Sequence, residues 1–90
     1  MLARYQPAPG AIFATLTDGA VVLDIQTKKY FSLNDTGAAV WACIRDGLSP
    51  DEMVVALLRE YDVAEEDARV AVESLLRSLE AEQLIEPVET

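Results

Sequence analysis

The sequence predicts an α+β domain in which a three-stranded antiparallel sheet is followed by three helices. Three short segments with apolar alternation are separated by two turn signals, Asp18-Gly19 and the run 26–29, and tight turns of this kind join antiparallel neighbours. From Asn34 onward the apolar residues recur at helical spacing instead. The second and third helices resemble a helix-turn-helix pair. Three strands followed by three helices (βββααα) is therefore the element order of a winged-helix-like domain.

The predicted strands cover residues 11–16, 20–26 and 29–33. In the second of these, alternation places Val21, Leu23 and Ile25 on one face. Side chains of a strand alternate between two faces, and an apolar set on one face indicates that this face is buried. We therefore expect these three side chains to lie in the core.

The third strand is the candidate edge of the sheet. Phe31 and Leu33 share one face, and Tyr30 and Ser32 share the other. Because this strand is the last of the meander, we expect one of its sides to have no hydrogen-bonded neighbour.

Three helices follow the sheet. Asn34 is a candidate N-cap for the first, and Gly47 is placed to end it. The run 49–52, Ser-Pro-Asp-Glu, is a capping box with proline at the first helical position, so it predicts the start of the second helix. The third helix begins among the acidic residues 65–67 and continues to about Glu82.

The chain is predicted to form one domain with two short flanking segments. Residues 1–10 contain two prolines and a glycine, so we expect an extended N-terminal arm there. Residues 11–86 form the domain, and Leu84 and Ile85 form a short extended tail that packs back on the core. Residues 87–90 are expected to fray.

Composition restricts the classes of partner. Sixteen carboxylates against seven cations give a net charge of −9, and such a chain repels nucleic acid and anionic membranes. The single cysteine, Cys43, cannot form an intrachain disulfide and fits a buried position in a helix. No apolar run approaches the roughly 20 residues of a membrane span. These features predict a cytoplasmic protein.

Catalytic chemistry has little support in the sequence. The chain has no histidine and one cysteine, so Ser-His and Cys-His nucleophilic systems and the usual zinc and iron–sulfur ligand sets cannot be built. The four glycines are isolated and form no phosphate-binding loop. We predict no enzymatic activity, no cofactor and no metal.

A binding role leaves two surfaces to consider, the edge strand and one flank of the third helix. Lys28 and Lys29 lie near the edge. They either protect the edge from aggregation or lie beside a bound peptide that adds a strand to the sheet. The helix flank is mostly small side chains, which either cover helix surface or leave room for a groove. Its members are Val70, Ala71, Ser74, Arg77 and Ser78.

The pattern from Asp18 to Ile85 resembles the PqqD-like family, the small recognition elements that bind leader segments in pathways modifying ribosomally made peptides. The matching segments are 20–34, 36–41 with 46–47, 61–63, and 76–79 with 84–85. Within the family, one segment has the order Leu-Asp, then a turn, then Lys-Tyr-Phe-Ser-Leu-Asn. This order is most similar to that of the stand-alone leader-binding protein of lasso-peptide biosynthesis. Two residues depart from the family pattern, Ala64 at a capping position and Gln83 where glycine often stands.

The resemblance implies a non-catalytic domain that takes up a precursor leader as an added strand against the third helix. It implies partners as well, namely a leader peptidase and a macrocyclase, with the domain itself a monomer or weak dimer. Lys28, Lys29 and Arg77 would suit a leader with acidic residues between apolar anchors. The resemblance implies that the peptide-binding residues are Lys28, Lys29, Tyr30, Phe31, Ser32, Leu33, Val70, Ala71, Ser74 and Arg77.

Two other functions compete with leader binding. A winged-helix DNA-binding regulator has the same order of elements, but the third helix is rich in carboxylates, which DNA phosphates repel. An assembly or dimerisation subunit that docks on a biosynthetic enzyme would use the same surfaces, and the sequence alone does not separate it from leader binding.

Overall fold

The fold is that of a computed structural model, which describes residues 4–88. Its strands are β1 (Arg4–Pro7), β2 (Ala11–Leu16), β3 (Gly19–Asp24), β4 (Tyr30–Leu33) and β5 (Ile85–Val88), and its helices are α1 (Asp35–Arg45), α2 (Pro50–Glu60) and α3 (Glu65–Ala81). The α+β class, the three-stranded antiparallel sheet and the three helices are confirmed. The winged-helix label stays a prediction.

The three-stranded sheet has the order β2-β3-β4, with each neighbour antiparallel. The β2–β3 turn contains Asp18-Gly19, as expected, and Gly19 has φ +135°, a conformation that side chains rarely allow. The turn over residues 26–29 is also confirmed, with Lys28 in the left-handed region at φ +64°.

The prediction that Val21, Leu23 and Ile25 face the core is wrong. The buried face of β3 carries Ala20 and Val22, whereas Leu23 and Ile25 are exposed and Val21 is half-buried. The run 20–23 is apolar at every position, so alternation alone does not say which face is buried. The packing of the sheet decides it.

A core lies between this sheet and the helices. On the sheet side, Phe13 stacks on Trp41 of α1, with ring centroids 6.2 Å apart and nearly parallel planes. Leu33 of β4 is buried, and Phe31 is half-buried against the same cluster, as their shared face predicts. On the helix side, the buried residues of α2 and α3 are Met53, Val54, Leu57, Ala68, Val72, Leu76 and Leu79.

Two segments near the ends of the chain, residues 4–7 and 85–88, pair with each other, which the sequence does not predict. Residues 4–7 of the expected arm form β1, which is antiparallel to β5 with Arg4 opposite Val88 and Pro7 opposite Ile85. The expected fraying of 87–90 is therefore wrong for Pro87 and Val88, while residues 1–3, 89 and 90 lie outside the described residues. Leu84 and Ile85 are buried, as predicted for a tail that packs on the core.

Side-chain caps mark the start of two of the three helices. Oδ1 of Asn34 accepts a hydrogen bond from the Gly37 amide over 2.8 Å, so Asn34 is the N-cap of α1. At α2 the capping box is complete, since the Glu52 amide donates to Oγ of Ser49 and the Ser49 amide donates to Oε1 of Glu52. Ala64 leaves α3 without a side-chain cap.

Helices α1 and α3 end in the same backbone motif with different residues at its left-handed position. After α1, the Gly47 amide donates to the Ile44 carbonyl and the Leu48 amide to the Cys43 carbonyl, and Gly47 has φ +80°. After α3, the Gln83 amide donates to the Glu80 carbonyl and the Leu84 amide to the Leu79 carbonyl. Gln83 occupies the left-handed position, with φ +61°. The left-handed conformation at Gln83 is one that glycine adopts more readily than glutamine.

We expect Gly47→Ala and Gln83→Gly to change the free energy of unfolding in opposite directions. The left-handed conformation costs a residue with a Cβ roughly 1–2 kcal/mol, and glycine avoids that cost while adding some entropy to the unfolded chain. Gly47→Ala should destabilise by about 1 kcal/mol, and Gln83→Gly should stabilise by up to about 1 kcal/mol. Urea unfolding of both variants measures the two values, and shifts of the same sign would contradict the account.

The capping box should also appear in the pH dependence of stability. The pKa of Glu52 is lowered, first by its hydrogen bond from the Ser49 amide and also by Arg4. A lowered pKa in the folded state means that the stabilisation is present above the ordinary glutamate pKa and is lost as the pH falls through the lowered value.

Glu52→Gln keeps a capping acceptor and cannot titrate. We expect this variant to lose less stability than the unaltered chain between neutral and acidic pH, as followed by thermal unfolding at a series of pH values. Identical losses in the two proteins would show that Glu52 contributes nothing to the acid response.

Candidate functional site

One side of β4 has no neighbouring strand. In the sheet order β2-β3-β4, β4 is terminal and pairs with β3 alone. The Asp24 amide donates to the Lys29 carbonyl over 2.9 Å, which marks that position as a hydrogen-bonded pair. Hydrogen-bonded pairs alternate along an antiparallel ladder, so Phe31 and Leu33 direct their amides and carbonyls toward β3. Tyr30 and Ser32 direct theirs toward the free edge.

A groove of about 400 Å³ lies beside this edge, between the end of β4, the start of α1 and one flank of α3. We call it the β4–α3 groove. Its lining residues are Ser32, Leu33, Asn34, Thr36, Gly37, Val40, Ala71, Ser74, Leu75 and Ser78. The residues that α3 contributes follow helical spacing, so they occupy one stripe of the helix.

The β4–α3 groove contains no charged residue, although the chain carries 23. Leu33 and Val40 are buried, Leu75 is half-buried, and Ser74 and Ser78 are exposed. Gly37 keeps the groove open near β4, since a Cβ at this position would come within 3.1–3.2 Å of Leu33. An apolar floor with hydroxyl groups at its margin suits an apolar side chain on an extended backbone.

The structure brings together only part of the predicted site. Ser32, Leu33, Ala71 and Ser74 line the β4–α3 groove, while Phe31 packs inward against the core.

The other predicted residues lie outside the groove. Tyr30 is 71% exposed and projects from the opposite face of the sheet. Val70 is 60% exposed and does not line the β4–α3 groove. Lys28 and Lys29 lie in the turn before β4, so the strand is one residue shorter than predicted.

Residues 19–85 match the family model described as coenzyme PQQ synthesis protein D (PqqD). The chain belongs to the PqqD family. Among curated protein sequences, no relative matches it.

Two solved structures share the fold of this PqqD-family domain over nearly its whole length. One is TbiB1 in complex with the TbiA(beta) leader peptide, with a TM-score of 0.83, 28% identity, and coverage of 94% of this chain and 99% of that one. The other is a lasso peptide synthetase B1 complexed with the leader peptide, with a TM-score of 0.84, 31% identity, and coverage of 93% and 99%. The expected family resemblance is confirmed.

Arg77 lies on the side of α3 away from the β4–α3 groove. It lines a second cavity, of about 340 Å³, between β1, the start of α2 and α3. There Asp51 accepts a hydrogen bond from Arg69 over 2.9 Å, which lowers the pKa of Asp51. Burial, and then the neighbouring Glu80, raises the pKa of the Tyr5 hydroxyl. This cavity is rimmed by charges of both signs, unlike the β4–α3 groove.

Sequence reasoning missed Asn34, Thr36, Gly37, Val40 and Leu75 as lining residues of the β4–α3 groove, and it named Ser78 on the helix flank without including it in the site. Residues 71, 74, 75 and 78 form an i, i+3, i+4, i+7 set, which is the spacing of one helix stripe. This spacing is visible in the sequence. It includes Ser78 in the stripe that lines the groove and leaves Arg77 out of it. Thr36 and Gly37 enter the site through the packing of α1 against β4, which has no local signal.

Over residues 4–88 no group of three or more His, Cys, Asp or Glu side chains is arranged to hold a metal ion. In the same range, no helix is long and apolar enough to cross a membrane. Cys43 is a free, buried thiol in α1, as predicted, and burial raises its pKa.

Proposed function

We propose that this domain binds the leader segment of a ribosomally made precursor peptide as an added strand on β4, with its anchors in the β4–α3 groove. The observation that carries the proposal is the likeness, at 28–31% identity over 93–94% of the chain, to two structures that are themselves complexes with leader peptides. The free edge and the groove of this chain provide the two things that such binding needs.

The backbone of the leader would pair with Tyr30 and Ser32. Each contributes one amide and one carbonyl to the free edge, so up to four hydrogen bonds can form with an extended peptide. A hydrogen bond contributes a net ~0.5–1.5 kcal/mol, and main-chain pairing of this kind is tolerant of peptide sequence. Selectivity must therefore come from side chains.

The β4–α3 groove supplies that selectivity. Successive side chains of an added strand alternate between the two faces of the sheet, so every second leader residue would face Leu33, Val40 and Leu75. Apolar leader residues fit these positions. Lys28 and Lys29 lie just before the start of β4, where they would orient an acidic leader residue. Arg77 lies too far around α3 to share that role.

The domain would contribute affinity and position, with no bond chemistry of its own. In a lasso-peptide type of pathway the partners are a leader peptidase and a macrocyclase, to which the bound precursor is presented. Holding a substrate near an enzyme raises its effective concentration to roughly millimolar without any change in the active site. Such a role requires neither a cofactor nor a metal.

Ser32→Pro tests strand addition directly. Proline lacks an amide proton, and it is tolerated on an edge strand where that proton faces solvent. We expect the variant to fold and to bind a labelled leader peptide at least about tenfold more weakly, because one hydrogen bond is lost and the ring blocks the incoming strand. Fluorescence anisotropy measures the affinity, and circular dichroism verifies the fold.

Ser32→Ala is the matched control, since it removes the hydroxyl and keeps the backbone amide. It should bind the leader with nearly unchanged affinity. Equal affinities for the proline and alanine variants, both folded, would contradict strand addition at β4.

Ala71→Glu and Ala71→Lys test the groove. Ala71 is exposed on α3 and lines the groove, so either long side chain should fill it and weaken leader binding at least about tenfold, which corresponds to 1.4 kcal/mol. The control is Val55→Glu, a similar change at a 48% exposed residue of α2, a helix that contributes no residue to the groove lining. If only the Glu variant of Ala71 weakens binding, charge repulsion rather than lost space would explain it.

A further inference from the structure

The three-stranded sheet has a second unpaired edge, on the side of β2 that faces away from β3. β2 is terminal in the sheet order β2-β3-β4. The Ile25 amide donates to the Gly10 carbonyl over 3.0 Å, which marks that position as a hydrogen-bonded pair. Because such pairs alternate along an antiparallel ladder, Phe13 and Thr15 direct their amides and carbonyls to the unpaired side. We call the backbone groups of these two residues the β2 edge.

Both edges of the β1–β5 pair are closed by proline. The Ala8 amide donates to the Leu84 carbonyl over 2.9 Å. The alternation therefore places Pro7 and Pro87 at positions whose backbone groups point away from the partner strand. A proline at such a position has no amide proton to offer, and its ring obstructs an incoming strand. Each of these two strands is therefore protected against adding a further strand.

The β2 edge has no comparable protection. Residues 11–16 contain no proline, glycine or charged residue, and the uncharged run extends from residue 5 to residue 17 in a chain with 23 charged residues. Natural edge strands are usually shielded by charge, proline or a bulge, because an unshielded edge pairs with other strands. Ile12 and Leu16 add apolar side chains that are 49% and 55% exposed. An edge of this composition favours pairing with an uncharged, apolar strand.

β2 is itself a strand of that kind, so its edge is complementary to the same edge of a second copy. Two antiparallel copies related by a two-fold axis at Ala14 place Phe13 opposite Thr15 of the second copy. Each of these residues directs an amide and a carbonyl to the other strand, so up to four hydrogen bonds form across the axis. The same register brings Ile12 opposite Leu16 of the second copy, which covers two exposed apolar side chains.

Size and charge limit the strength of such a dimer. A six-residue strand is about 20 Å long, and pairing along it buries well under the roughly 800 Å² per partner of a stable interface. Each copy has a net charge of −9. Asp18 and Asp24 lie at the two ends of the β2–β3 hairpin, where they oppose association at low salt. The dimer should therefore be weak, and added salt should strengthen it.

We propose that two copies of this domain pair through their β2 edges into one continuous six-stranded sheet with the order β4-β3-β2-β2-β3-β4. Strands in a sheet lie about 4.8 Å apart, so the two β4 strands are roughly 24 Å apart. Both β4 edges stay accessible, at opposite ends of this sheet. The dimer presents two edges for the proposed leader binding, and its formation does not depend on a leader.

Analytical ultracentrifugation over a range of concentrations tests the pairing. We expect the domain to be mainly monomeric at about 10 µM and to shift toward dimer at about 1 mM, with a larger shift in about 0.5 M salt than in about 0.05 M. Thr15→Pro removes an amide proton from the β2 edge and should weaken dimerisation at least about tenfold. Thr15→Ala keeps the amide and should dimerise like the unaltered domain.

Ala14→Lys distinguishes pairing at β2 from general charge repulsion. Like charges directly opposite each other in a ladder are destabilising, and this substitution puts two ammonium groups at the two-fold axis, so it should weaken the dimer at least about threefold. It does so although it lowers the negative charge of each copy. Val55→Lys makes the same change in net charge on α2 and should not weaken the dimer. Ala14→Lys also replaces Thr15→Pro if the proline variant does not fold.

Dimerisation that Ala14→Lys weakens and Val55→Lys does not weaken supports pairing at the β2 edge. A domain that stays monomeric at the highest concentration in high salt refutes it. A dimer that Ser32→Pro abolishes and Thr15→Pro leaves intact also refutes it, because the contact then lies at β4. Leader binding is measured separately, so a folded domain that dimerises and binds no leader would overturn the proposed function alone.

Discussion

The antiparallel ladder between β3 and β4 is the constraint on which the rest of the structure depends. Its register places Val22 opposite Phe31 and Ala20 opposite Leu33, and these are the side chains that meet the helices. The same register turns Leu23 and Tyr30 outward and leaves the backbone of Tyr30 and Ser32 unpaired. A shift of one residue would exchange the two faces of β4 and would move the free hydrogen-bonding groups to the residues that now lie inward.

Three surfaces with different chemistry follow from that ladder. The free edge offers backbone groups, the β4–α3 groove offers an uncharged apolar recess, and the outward side of the sheet carries the exposed side chains of Ile12, Leu23 and Tyr30. The carboxylates lie elsewhere, including the first turn of α3. This distribution opposes binding of nucleic acid through α3. It also leaves the edge strand, residues 30–33, without a carboxylate, so a peptide can approach there.

Much of the fold was predictable because its signals are local. The capping box at Ser49 and the glycine after α1 act within a few residues, and both predictions are confirmed. The buried face of β3 was not predictable, because residues 20–23 are all apolar and either face satisfies the alternation. Pairing of β1 with β5 joins residues about 80 positions apart and involves two prolines, so it has no short-range signal.

The candidate site shows the same division. The edge strand was predictable from turn chemistry and order, whereas the groove depended on the rotation of α3. Arg77 and Ser78 are adjacent in sequence, but about 100° of helix rotation separates them, and they line different cavities.

Hydrogen exchange at single amides of β4 tests the central claim most directly. In the free domain, the Phe31 and Leu33 amides are bonded to β3 and should be protected, while those of Tyr30 and Ser32 should exchange rapidly. On addition of a saturating leader peptide, the account predicts new protection at Tyr30 and Ser32. A leader that binds and leaves both amides exchanging as fast as before would contradict strand addition at this edge.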